Sequence, residues 1–192
     1  MSAVRSLLWV VAALTLSWAA PLPDDALLAE HRRLSTPSKE HEQLSALAGS
    51  WRFKSTYRTG PDRDPVVVEG TAVHEWTLGG RFLECRSRST SSGEKIEGLL
   101  IFGFDRRTED YTFVSFDTLG TYSVTGAGRW NRATYSFVFR GETTLEPIMG
   151  GTQRYRTVVR VEDPDRFVVE MWFAYPGADE VKGVEAVYTR TD

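Results

Sequence analysis

From Trp51 onward the chain changes character every second residue, and most breaks in the pattern are only a few residues long. Trp51, Phe53, Ser55 and Tyr57 alternate with Arg52, Lys54, Thr56 and Arg58, the signature of a strand with one buried and one wet face. Similar runs follow near 66–78, 81–90, 95–104, 110–117, 120–128, 134–140, 153–162, 166–175 and 180–190. Between them stand turn signals such as Gly60-Pro61-Asp62, Gly79-Gly80, Ser91-Ser92-Gly93, Asn131-Arg132 and Pro176-Gly177-Ala178. Connections this short hold no crossover helix, so neighbouring strands pair antiparallel. Hairpin-linked strands with one apolar face each leave two unpaired edges in an open sheet, and closure removes both. The expected fold is therefore all-β: a closed up-and-down antiparallel barrel of about ten strands, with a short N-terminal helix at its base.

The helical part lies between residues 24 and 48. Asp24 and Asp25 precede Leu27, Leu28 and Leu34; after a break, Pro37 suits a first helical turn ahead of Glu40, and Leu44, Leu47 and Ala48 make one apolar stripe. Residues 1–19 read as a signal peptide. A basic start to Arg5 leads into the apolar run Leu7 to Leu16, and Ser17-Trp18-Ala19 gives a small-x-small cleavage site. That run is too short for the ~20 residues that span hydrocarbon, so no stable membrane insertion is expected once the signal is removed. Residues 20–39 form a partly helical leader and 40–192 a single barrel domain, in a protein expected to be periplasmic or secreted. Cys85 is the only cysteine and reads as a small buried apolar residue. A formal net charge of −3 without any basic run argues against nucleic acid as a partner.

The last hairpin fixes a register. A two-residue Gly177-Ala178 loop pairs residues whose numbers sum to 355, so Phe173, Met171, Val169 and Phe167 face Lys182, Val184, Ala186 and Tyr188. This side is the more apolar and is assigned to the interior. Glu170 then lies opposite Glu185, outside, where Arg156 and Arg160 are expected to answer the two carboxylates.

Leu47-Ala48-Gly49-Ser50-Trp51 marks the change from helix to strand. First and last strands of a closed barrel are neighbours, so Arg190 is expected over the Trp51 indole, with Gly49 turning the chain without a side chain in the way. Further along, Glu40-His41 with Leu44 and Leu47, Gly49-Ser50-Trp51 and Trp76-Thr77-Leu78-Gly79-Gly80-Arg81-Phe82-Leu83 form one series of motifs. Glu97-Gly98, Gly103-Phe104-Asp105, Phe116-Asp117, Gly128-Arg129-Trp130, Glu170-Met171 and Glu185-Ala186-Val187-Tyr188-Thr189-Arg190 extend it. On these motifs the chain resembles the bacterial domain-of-unknown-function family 1579 over nearly all of residues 40–191. The resemblance implies a lipocalin or calycin-like barrel and no established activity. Thr143 to Gly151 departs from the family's usual Pro-Thr-Gly-like turn.

No catalytic constellation emerges. His41-Glu42-Gln43-Leu44-Ser45 lacks the second histidine of a zinc helix, which makes His41 a residue of the helix surface or barrel base, and no Gly-x-Ser-x-Gly elbow or phosphate-binding loop is present. His74 lies on one side of its strand with Ala72 and Trp76; it suits either a ligand contact, including a haem iron, or a hydrogen-bonded structural role. The alternating faces place Tyr57, His74, Trp76, Tyr122, Phe137, Tyr155, Met171 and Phe173 inside, the candidate ligand-binding set. A ten-strand barrel is wider than the eight-strand case that side chains nearly fill. Leu145, Pro147, Ile148 and Met149 make an apolar patch suited either to gating one end or to packing on the barrel. The leading expectation is an exported, non-enzymatic barrel for a small apolar or amphipathic molecule, with no catalytic residue, cofactor or metal. The alternatives are a barrel enzyme using Glu170 and Glu185, and a filled structural or interaction module.

Overall fold

The computed structural model describes residues 24–58, 63–144, 151–174 and 179–191. The signal segment, the Gly60-Pro61-Asp62 turn, the Leu145 to Met149 patch and the Gly177-Ala178 turn lie outside the described residues. Two compact units divide the chain, Met1–Arg33 and Leu34–Asp192. The first contributes most of helix α1 (Asp25–Ser35), which Asp24 caps by accepting the Leu27 N–H at 2.7 Å.

In the second unit, Ser38 opens the short helix α2 (Lys39–Gln43), which runs into a 3-10 turn at Leu44–Leu47. Pro37 stands before the cap rather than in the first turn, because the Ser38 N–H is taken by Nδ1 of His41 at 3.1 Å. Leu44 and Leu47 are fully buried, each contributing roughly 1.5–3 kcal/mol through lost apolar exposure. Polar ties fix this segment: Arg81 Nε donates to Ser35 O at 3.0 Å, Arg106 to Thr36 O at 2.8 Å, and the Tyr111 hydroxyl to Glu40 O at 3.1 Å.

The alternating runs become ten strands. They are β1 (Gly49–Tyr57), β2 (Val66–Thr77), β3 (Phe82–Ser91), β4 (Glu94–Asp105), β5 (Asp110–Asp117), β6 (Val124–Asn131), β7 (Ser136–Thr144), β8 (Thr152–Asp163), β9 (Arg166–Ala174) and β10 (Val181–Arg190). Each pairs antiparallel with its sequence neighbours, and β1 pairs with β10 from Trp51↔Arg190 to Tyr57↔Val184, closing the barrel. Directly opposed residues share a face, so the inner wall can be traced from pair to pair around the circuit. The α2 end is filled by Trp51, Tyr111, Phe137 and Phe167, which pack on one another in pairs beneath the helical segment.

Two departures from the expected strands have physical causes. β6 begins at Val124 rather than near 120, because Asp117 Oδ1 accepts the Leu119 N–H at 2.8 Å and holds the preceding turn. In the last hairpin the sum-355 register holds for Met171↔Val184, Glu170↔Glu185, Val169↔Ala186 and Phe167↔Tyr188, then slips at Gly183. Beyond the bulge Lys182 pairs with Trp172 and Val181 with Phe173, so Lys182 faces outward instead of opposing Phe173. Gly183 bulges because the Phe173 ring lies against it: a β-carbon there would come 2.6 Å from Cε2.

Candidate functional site

The base of the barrel is a stopper built from the corner motif. Gly49 has φ of 121°, a conformation that side-chain-bearing residues rarely adopt, and it turns the chain from the 3-10 segment into β1. The Trp51 indole, 1% exposed, donates to Leu47 O at 3.0 Å. The Arg190 guanidinium lies 4.2 Å from the Trp51 ring centre and donates to Ala48 O at 2.9 Å and to Pro164 O at 3.0 Å. Sheet closure is thus cemented by a cation on a ring face and two charged hydrogen bonds.

His74 is enclosed in this stopper. It is 6% exposed, its Nδ1 lies 2.7 Å from Leu47 O, and the rings of Trp51, Phe167 and Tyr188 stand 6.0–6.3 Å away. A carbonyl only accepts, so Nδ1 carries the proton. Burial pushes the imidazole pKa down to about 4, against the Leu47 hydrogen bond and with help from Arg190. The Leu47 bond ties the ring to the 3-10 turn, so His74 joins β2 to the helical segment. Cys85, opposite His74 on β3, is buried, and burial raises its thiol pKa. His41 also sits in the base, edge-on to Phe104 at 5.7 Å, its pKa lowered by burial and by Arg106.

The opposite half of the inner wall follows a different rule. Phe53 opposes Gly70, Phe113 opposes Gly126 and Tyr155 opposes Gly141 in the ladders. In each pair the ring lies over the glycine: a β-carbon would come 2.5 Å from Phe53 Cζ, from Phe113 Cε1 or from the Tyr155 hydroxyl oxygen. These rings therefore lie along the wall rather than across the barrel. Tyr155 reaches across Gly141 on β7 to β6, where its hydroxyl donates to Thr125 O and accepts the Thr125 N–H at 3.2 Å. The β6–β7 ladder stops at Ala127↔Arg140, so this side chain supplies the partner that the ladder no longer gives.

The eight predicted ligand residues divide. His74, Trp76 and Phe137 lie in or against the packed base, with Phe137 fully buried between Trp130 at 4.6 Å and Tyr111 at 4.9 Å. Tyr57, Tyr155, Met171 and Phe173 face inward in the other half, with Tyr155 directly opposite Phe173. Tyr122 is a correction: it precedes β6, packs against Gly120 and is 66% exposed. Sequence reasoning missed Ser55, Gln153 and Thr157, inner-wall polar residues that are 4%, 8% and 6% exposed. Their strict two-residue spacing with the aromatic positions is the signal that would have found them.

Glu170 and Glu185 oppose each other on the outer face, as expected, but the group that answers them is Lys182. Its ammonium bonds Glu170 Oε1 at 3.1 Å and also Glu185, whose carboxyl pKa it lowers. Arg156 pairs instead with Glu180 at 2.7 Å and Arg160 with Glu162 at 3.0 Å. With a lysine between them and solvent beside them, the carboxylates make an ion-pair cluster outside the barrel, away from any enclosed reaction space.

Solved structures share this architecture. Rv2717c from M. tuberculosis is 15% identical with a TM-score of 0.58, over 82% of this chain and 100% of that one. The S-type phycobiliprotein lyase CPES from Guillardia theta is 11% identical with a TM-score of 0.56, over 84% and 97%. At such identities the likeness shows the fold. No curated protein matches the chain. The family described as protein of unknown function (DUF1579) matches residues 36–190, from just before the α2 cap to the arginine that closes the barrel, and the chain belongs to that family.

Proposed function

We propose that the protein is an exported carrier whose barrel holds a small apolar or amphipathic molecule in the half away from α2. The observation that carries this reading is the inner wall of that half, where the Phe53, Phe113 and Tyr155 rings lie over glycines of the neighbouring strand and so along the wall. Fold likeness to a phycobiliprotein lyase is compatible with a small-molecule role and adds nothing about the ligand. Export is supported by the basic start, the Leu7 to Leu16 apolar run and the Ser17-Trp18-Ala19 site.

Native mass spectrometry of protein recovered from the periplasm or medium of its own host tests both parts. A mature chain beginning at Ala20 and carrying a discrete, gently removable added mass is the expected result. A bare mass under conditions that preserve non-covalent complexes counts for a filled structural barrel, and an intact Met1 start counts against export.

A further inference from the structure

We propose that the molecule held in the far half of the barrel is uncharged and carries a hydrogen-bonding group that meets the hydroxyl of Thr157. This rests on the carrier reading above and narrows it to a chemical class.

The first ground is an unpaired atom. Thr157 opposes Phe139 on one side and Met171 on the other, both inner-wall residues, so its side chain faces the interior. It is 6% exposed, and its Oγ1 is the buried side-chain polar atom without a hydrogen-bond partner among the described residues. A valine would fill the same volume without that cost, as Val159 does two residues along the same wall. Ser55, Ser87 and Ser115 lie on the same inner face by register, so the wall offers further hydroxyls beside its rings.

The second ground is where the charges stand. Glu94 and Asp117 have inner-face parity, but both are exposed at strand ends, and Asp117 is engaged in its own turn at 2.8 Å. Arg190, at the opposite end, bonds Ala48 O and Pro164 O. An unbulged β9–β10 hairpin would have turned Lys182 inward opposite Phe173; the slip at Gly183 puts its ammonium outside on Glu170 and Glu185. An ionised ligand would therefore enter a wall holding hydroxyls and rings but, among the described residues, no counter-charge at depth.

The test uses naphthalene, 2-naphthol and 2-naphthoate as probes of matched body, titrated fluorimetrically at pH 7.5 into the mature protein and its Thr157→Val and Thr157→Ser variants. The expected result is that Thr157→Val lowers 2-naphthol affinity relative to naphthalene about three- to tenfold, while Thr157→Ser preserves the ratio. The naphthoate should bind weakest. An unchanged ratio in Thr157→Val, or tightest binding by the naphthoate, overturns the inference and leaves the carrier reading standing. Failure of all three probes to bind removes the carrier reading, and this inference with it.

Discussion

Protonating His74 should unfasten the barrel base, and the size of the effect follows from its position. Its folded pKa of about 4 lies below the ordinary 6.5, so the unfolded chain binds the proton more readily than the folded one. Stability contributed by the neutral ring is therefore present above pH 6.5 and lost as pH falls toward 4. With those two values, lowering the pH from 7.5 to 5 costs about 2 kcal/mol, approaching the limiting slope of about 1.4 kcal/mol per pH unit. His41, shifted in the same direction, adds to the loss. The lowered carboxyls Glu40, Asp105 and Glu185 lose their contribution only below their ordinary values of 3.8–4.5, outside this window. Urea unfolding at pH 7.5, 6.5, 5.5 and 5.0 measures the drop. His74→Asn supplies the control, since its amide nitrogen can still donate to Leu47 O but does not titrate. A wild-type loss below about 0.5 kcal/mol, or an equal loss in His74→Asn, refutes the reasoning.

Other perturbations act on separate parts of the wall. Arg190→Met removes the cation from the Trp51 face and two carbonyl hydrogen bonds, and should cost about 2–3 kcal/mol by urea unfolding; Arg190→Lys should recover only part. Tyr155→Phe leaves both Thr125 backbone groups without their partner; because Thr125 is exposed and water can replace part of the loss, about 1–2 kcal/mol is expected, with faster amide exchange at Thr125. Lys182→Met strips the cation from Glu170 and Glu185, which are 20% and 43% exposed, so a loss of only about 0.5–1 kcal/mol that shrinks in high salt should appear in thermal melts.

The alternation from Trp51 onward gave strand number, closure and most inner faces, because a period of two leaves little freedom once one face is buried. The Trp51 and Arg190 contact was legible for the same reason: closure makes the first and last strands neighbours. What stayed hidden arises between strands. The Gly183 bulge depends on the Phe173 ring lying over it, and no pattern within β10 announces that. Likewise Tyr122 keeps the parity of an inner residue but falls before its strand begins, since the Asp117 side chain sets where the turn ends. His74 and Tyr155 were both read as pointing inward, which parity can say. That one is locked beneath the 3-10 turn and the other laid along the wall depends on Leu47 and Gly141, remote in sequence.

A tube stoppered at one end has consequences for traffic. On the carrier reading proposed above, with Trp51, Leu44 and Leu47 filling the base, a guest in the far half would have to arrive and depart by the same end. A guest too long to turn over inside would leave with its trailing end first. A newcomer has no route from behind and must wait for vacancy, which makes the departure rate of the first occupant independent of how much of the second is waiting outside.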